Sequence, residues 1–136
     1  MFFQMKVPYA LLERSPTREY AAGTTIFQGG QPGDEMFVVM EGEVNILIGD
    51  KVVETVAAEQ FFGELALIDD APRSATAVAQ TDCKLAVVNQ RRFTFMVDEI
   101  PFFAIRVMKV MADRLRRKDG PQPPLREPNA IAQPGQ

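Results

Sequence analysis

The stretch EVNILIGDKVVETV, Glu43 to Val56, constrains the fold more than any other part of the chain. Val44, Ile46 and Ile48 alternate with polar or smaller positions, the period of a half-buried strand, and the two-residue Gly49-Asp50 turn sends the chain straight back. Similar runs lie on both sides. Thr17–Ala22, Thr24–Gln28, Glu35–Glu41, Glu43–Ile48, Lys51–Ala57, Arg73–Gln80 and Cys83–Asn89 read as strands, punctuated by turns such as Gly29-Gly30 and Pro32-Gly33-Asp34. Many short strands at this spacing predict a mainly β architecture, an antiparallel sandwich or barrel with a closed core.

Helical signals flank the strands. A short helix is expected around Tyr9–Glu13. From Gln90 the period changes, because Phe93, Met96, Val97 and Ile100 fall at i, i+3, i+4 and i+7 with Asn89 placed to cap them. Pro101 suits the first turn of a second helix, which Arg116, Arg117, Lys118, Gly120 and Pro121 bring to a stop, giving a predicted span of about Phe102–Lys118. Its apolar residues form two rows: Phe103, Val107, Met111 and Leu115 in one, Ile105, Met108 and Ala112 in the other. One row can cover the barrel. The other is core, a homodimer seam or a lid over a ligand.

The basic run Arg114, Arg116, Arg117, Lys118 reads most simply as a solvated helix end complementing the helix dipole, with a docking surface or residual nucleic-acid contact as the alternative. Beyond it, residues 119–136 are rich in proline and polar residues and have little to bury, which predicts a disordered tail after a single domain spanning 1–118.

Composition narrows the function. A chain of 136 residues, 46% hydrophobic and 24% charged, suits one globular domain, and a formal net charge of −3 argues against a general nucleic-acid binder. There is no histidine, so the commonest metal ligand and general base are missing, and neither catalytic nor metal-binding residues are expected. The single cysteine, Cys83, has no internal disulfide partner, and no secretory leader pattern or run of about 18 apolar residues stands out. A cytoplasmic protein without a membrane span is expected.

The segment FGELALIDDAPRSATAVA, Phe62 to Ala79, carries the candidate chemistry. Gly63 to Ile68 breaks strand alternation and can form about one and a half turns of helix, whose leading amides suit an anion. Arg73, expected on the following strand behind Pro72, can give a phosphate two parallel hydrogen bonds; Ser74 adds a hydroxyl, and Ala75 leaves its amide approachable. Glu64 would repel a phosphate but accept a hydrogen bond from a sugar hydroxyl. The competing reading is a Glu64–Arg73 surface ion pair, with Ser74 and Thr76 as ordinary strand residues.

This segment resembles, nearly position for position, the phosphate-binding cassette of cyclic nucleotide-binding domains, and GDEMFVVMEGEVNILI, Gly33 to Ile48, resembles the strand pair that precedes it. The likeness extends over about residues 10–118. It implies an antiparallel β-roll of eight or so strands, jelly-roll-like, with a short N-terminal helix and two C-terminal helices, holding cAMP or cGMP. It implies further that Glu64 takes the ribose 2′-hydroxyl and Arg73 the cyclic phosphate, with Gly63, Leu65, Ala66, Ser74 and Ala75 completing the cradle. Ser74 does not decide between the bases; cAMP is the first expectation and cGMP the second. Val52, Val53, Leu65 and the terminal helix are expected beside the base. Without a helix-turn-helix after the long helix, and without a kinase or channel effector, the expectation is a non-enzymatic, stand-alone sensor. It makes no direct DNA contact and signals by helix movement to an effector protein or through a homodimer along 102–118. The alternatives are a β-roll that has lost its nucleotide and serves as a protein-interaction module, and a regulatory partner of a transcription complex.

Overall fold

The computed structural model describes Val7 and residues 12–118. Among these residues the chain forms eight strands: β1 Thr17–Tyr20, β2 Thr25–Phe27, β3 Glu35–Glu41, β4 Val44–Ile48, β5 Lys51–Val56, β6 Phe61–Phe62, β7 Thr76–Ala79 and β8 Cys83–Asn89. A 3-10 helix, Glu64–Leu67, interrupts them, and two α-helices follow, α1 Gln90–Glu99 and α2 Phe102–Lys118. The strands build two four-stranded antiparallel sheets in the orders β1-β8-β3-β6 and β2-β7-β4-β5. This is the mainly β roll with two C-terminal helices that the sequence leads one to expect.

The sequence of β3 shows how the layers arise. Phe37 and Val39 point into the space between the sheets, where they join Val44, Val56, Phe62, Ala77, Leu85 and Val87. Met36 and Val38 point the other way, into a second core with Phe61, Ala86, Val88, Met96, Phe103, Val107 and Val110. β3 is therefore buried on both faces over Met36–Val39, and its apolar run is continuous rather than alternating. β8 repeats the pattern with Leu85 and Val87 on one face and Ala86 and Val88 on the other. One sheet thus lies between its partner and the helices.

Several boundaries differ from the sequence reading. β6 has only two residues, too few for any alternation to register. Arg73 is not on a strand: its amide donates to the carbonyl of Gln31 at 2.8 Å and its carbonyl accepts from the amide of Gly30 at 2.8 Å, so the segment is tied to a turn, and β7 begins only at Thr76. The helix expected around Tyr9–Glu13 falls largely outside the described residues, as does the tail at 119–136; residues 12–15 form a turn closed by the Ser15 amide on the Leu12 carbonyl at 2.9 Å.

Both C-terminal helices begin and end close to where periodicity and capping put them. Asn89 caps α1, its Oδ1 accepting from the Arg92 amide at 2.9 Å. On α2, Phe103, Val107 and Val110 are buried. The second apolar row is not core, since Ile105 and Met108 are about half exposed, and Leu115 at the end of the first row is 51% exposed as well. No helix among the described residues is long and apolar enough to cross a membrane. Replacing Asn89 by alanine removes one cap and should lower stability by about 1 kcal/mol, measured as a shifted urea midpoint with an unchanged slope.

Candidate functional site

Gly63 turns the chain from β6 into the 3-10 helix in a left-handed conformation, φ 79° and ψ 14°, that glycine adopts without a steric penalty. The turn leaves the leading amides of the helix without a carbonyl of their own turn to bond. It also buries the first side chain of the helix, Glu64, which is 4% exposed. After Ile68 the loop reverses, with Asp69 Oδ1 accepting from the Ala71 amide at 3.0 Å, and delivers Arg73 back toward Gly63.

All seven residues singled out from the sequence, Gly63, Glu64, Leu65, Ala66, Arg73, Ser74 and Ala75, line one cavity of about 160 Å³. Phe27, Ile46 and Val53 give it apolar walls, and α2 closes it with Met111, Arg114, Leu115 and Arg117. Val52, expected beside a bound base, does not line it and is 47% exposed.

Two arginines meet the cavity in opposite states. Arg73 Nη1 donates to the Gly63 carbonyl at 3.2 Å and Nη2 to the Glu35 carbonyl at 2.9 Å, while its guanidinium carbon lies 4.0 Å from the centroid of the Phe27 ring. Its Nε is buried with no hydrogen-bond partner. Burial pulls the Arg73 pKa down, and Glu35, Asp34 and Glu64 pull it up less strongly. This is a cation with donor capacity to spare.

Arg114 is the opposite. Its Nε and Nη2 grip the two carboxylate oxygens of Glu54 at 2.9 and 3.0 Å, Nη1 reaches Glu64 Oε1 at 2.7 Å, and Nη2 also donates to the Phe61 carbonyl at 2.6 Å. Burial lowers its pKa, but Glu64 and Glu54 outweigh that and leave it raised. Arg117 extends the cluster, bonding Glu54 at 3.2 Å and Asp113 at 3.0 Å.

The ion pair of Glu64 is thus with Arg114, not Arg73, and Arg114 is no solvated helix end. A signal for this was available: Val107, Met111 and Arg114 fall at i, i+4 and i+7, which puts the arginine on the buried row of α2. Reading the basic run as one unit hid it. Among the described residues no group of three or more acidic or cysteine side chains is placed to hold a metal.

The arrangement can hold an anion against Arg73 and the helix amides, offer an acceptor at Glu64, and shelter an apolar ring between β4, β5 and α2. The match with known proteins agrees with it: residues 17–99 fit the family model of the cyclic nucleotide-binding domain, and the chain belongs to that family. It is 40% identical over 79 residues, 57% of its length, to a cAMP-dependent protein kinase regulatory subunit of Colletotrichum orbiculare. It is 38% identical over 100 residues, 74% of its length, to a cyclic nucleotide-gated potassium channel of Rhizobium etli. Those segments make up 20% and 27% of the two relatives, so the chain spans only a minor part of either. Among solved structures, the catabolite activator protein of Thermus thermophilus matches with a TM-score of 0.71 and 28% identity over 82% of this chain and 55% of that one.

Replacing Arg114 by methionine would take from Glu64 its cation and from Glu54 its two-oxygen grip, leaving Glu54 its contact with Arg117. A loss of about 3 kcal/mol is expected in urea unfolding, and restoring part of it with Glu64→Gln in the same chain would trace the loss to the unpaired carboxylate.

Proposed function

We propose that this chain is a regulatory sensor domain that binds a cyclic nucleotide, cAMP first and cGMP second, and reports occupancy through α2. The observation that carries the reading is Arg73, a buried cation with an unpartnered Nε, set in one cavity with the buried carboxylate of Glu64. A cyclic phosphate would take up the spare donors of Arg73, the amides of the 3-10 helix and the Ser74 hydroxyl, with Gly63, Leu65, Ala66 and Ala75 giving close backbone approach. The ribose 2′-hydroxyl would donate to Glu64, and the base would lie toward Val53, Met111 and Leu115. The kinship with a cAMP-dependent kinase subunit supports adenine as the first choice.

Glu64 is where ligand and helix meet. Its carboxylate already bonds Arg114, so a sugar hydroxyl arriving there shares or replaces a contact that holds α2 in place. Binding shifts α2 to the extent that the ligand prefers one position of the helix over another. No bond in the nucleotide is broken in this scheme. The protein acts in the cytoplasm, with residues 1–118 as the sensor, and without touching DNA.

The output surface is the exposed row of α2. Ile105, Met108 and Ala112 follow one another at steps of three and four, the spacing of a coiled-coil seam, and the occupant it fits is the same row of a second copy. An effector protein would then read the dimer.

Calorimetric titration of nucleotide-free protein with cAMP, cGMP and 5′-AMP tests the site. Micromolar or tighter binding of a cyclic nucleotide is expected, with 5′-AMP much weaker, and Arg73→Ala should cost at least about 1.5–3 kcal/mol of that affinity. Equal affinity in wild type and mutant would sink the assignment. For the seam, Ile105→Glu with Met108→Glu should turn a sedimenting dimer into a monomer; a wild-type chain that sediments as a monomer at high concentration would rule the seam out.

A further inference from the structure

Gly33 lies between Pro32 and Asp34, ahead of β3, where a glycine is easily taken for a turn former. Its backbone does not bear that out, because it is not among the glycines with positive φ, the conformation that L side chains rarely adopt. What it lacks is room. A Cβ built on Gly33 would overlap Nε of Arg73 and come within 2.5 Å of Cζ and 2.7 Å of Nη2.

The guanidinium is thus held on two sides. The Phe27 ring lies 4.0 Å from its centre, the bare α-carbon of Gly33 packs against it, and the carbonyls of Gly63 and Glu35 fix its two terminal nitrogens. We propose that Gly33 is a positioning residue of the ligand site: the space of its missing side chain is where the Arg73 guanidinium sits. Any side chain at 33 displaces the cation from this cage. The displaced group is the far end of a flexible side chain, so the fold can accommodate the change where the site cannot.

The consequence for affinity rests on the cyclic nucleotide reading; the packing does not. Gly33→Ala separates the two when three quantities are measured: the thermal midpoint, the cAMP affinity, and the NMR cross-peak of Arg73 Nε–Hε, identified by its loss in Arg73→Lys. The ring of Phe27 shifts that peak in the wild type. The expected result is a nearly unchanged midpoint, a peak moved toward the position of a free arginine, and an affinity lower by at least about tenfold, the loss of one charge-assisted bond.

A peak and an affinity both unaltered by Gly33→Ala would overturn the proposal. If the wild-type protein binds no cyclic nucleotide, the functional reading fails and the peak alone decides the role of Gly33. If Gly33→Ala unfolds the chain, adding Arg73→Ala decides: recovery of the fold traces the clash to the guanidinium, and continued unfolding shows that Gly33 serves the backbone instead.

Discussion

A buried carboxylate, Glu64, and a largely covered one, Glu54, share a cation, and the way this chain meets that need governs its C-terminal half. Glu54 on β5 and Glu64 on the 3-10 helix come from different parts of the sequence, and taking a carboxylate out of water is costly unless it is paired. Arg114 reaches both and adds the Phe61 carbonyl, so one side chain joins a strand, a turn and a helix. The hydrophobic contacts of Phe103, Val107 and Val110 decide which face of α2 is turned inward. The charge cluster decides where along its axis the helix stops, since ion pairs have a register that apolar surfaces lack. Such clusters are weak sources of net stability but costly to break, so α2 has a defined resting place without a deep well around it.

The contrast between the two arginines follows from this. Arg114 has its donors engaged by anionic or carbonyl oxygens, while Arg73 is given two carbonyls and an aromatic face and keeps an Nε without a hydrogen-bond partner. A saturated guanidinium holds a structure together; an unsaturated one invites an anion. Both line the same cavity, and the negative charge of Glu64 acts on each of them. The site is therefore divided into a region that attracts an anion and a region that accepts hydrogen bonds.

Much of this was legible in the sequence, for reasons that differ from element to element. β4 announces itself by the alternation of Val44, Ile46 and Ile48, and β5 by the Gly49-Asp50 turn that sends the chain back; α1 announces itself through the cap at Asn89 and the run Phe93, Met96, Val97, Ile100. The seven residues of the candidate site sit within thirteen positions, so a local motif brought them into view together. Arg114 and Glu54 did not share that advantage. They meet across 60 residues, and nothing local to either says that the other is near. The strand state assigned to Arg73 failed for a related reason, because its backbone bonds go to the Gly30-Gln31 turn rather than to a neighbouring strand. The exposure of Ile105 and Met108 could not be read from the helix alone, whose periodicity permits two covered faces and does not say which partner covers the second.

The rings beneath Arg73 connect the site to the middle of the protein. Phe27 packs against Phe37 and Phe62 at centroid distances of 6.1 and 5.9 Å, and those two rings are themselves 5.3 Å apart between the sheets. The cation of the pocket is seated on a stack that is also part of the hydrophobic core. A substitution at any of these phenylalanines acts twice, on the packing of the core and on the seat of Arg73. A lineage that repacked its core would retune its ligand affinity in the same step, so sensitivity to ligand can drift without any residue of the pocket rim being replaced.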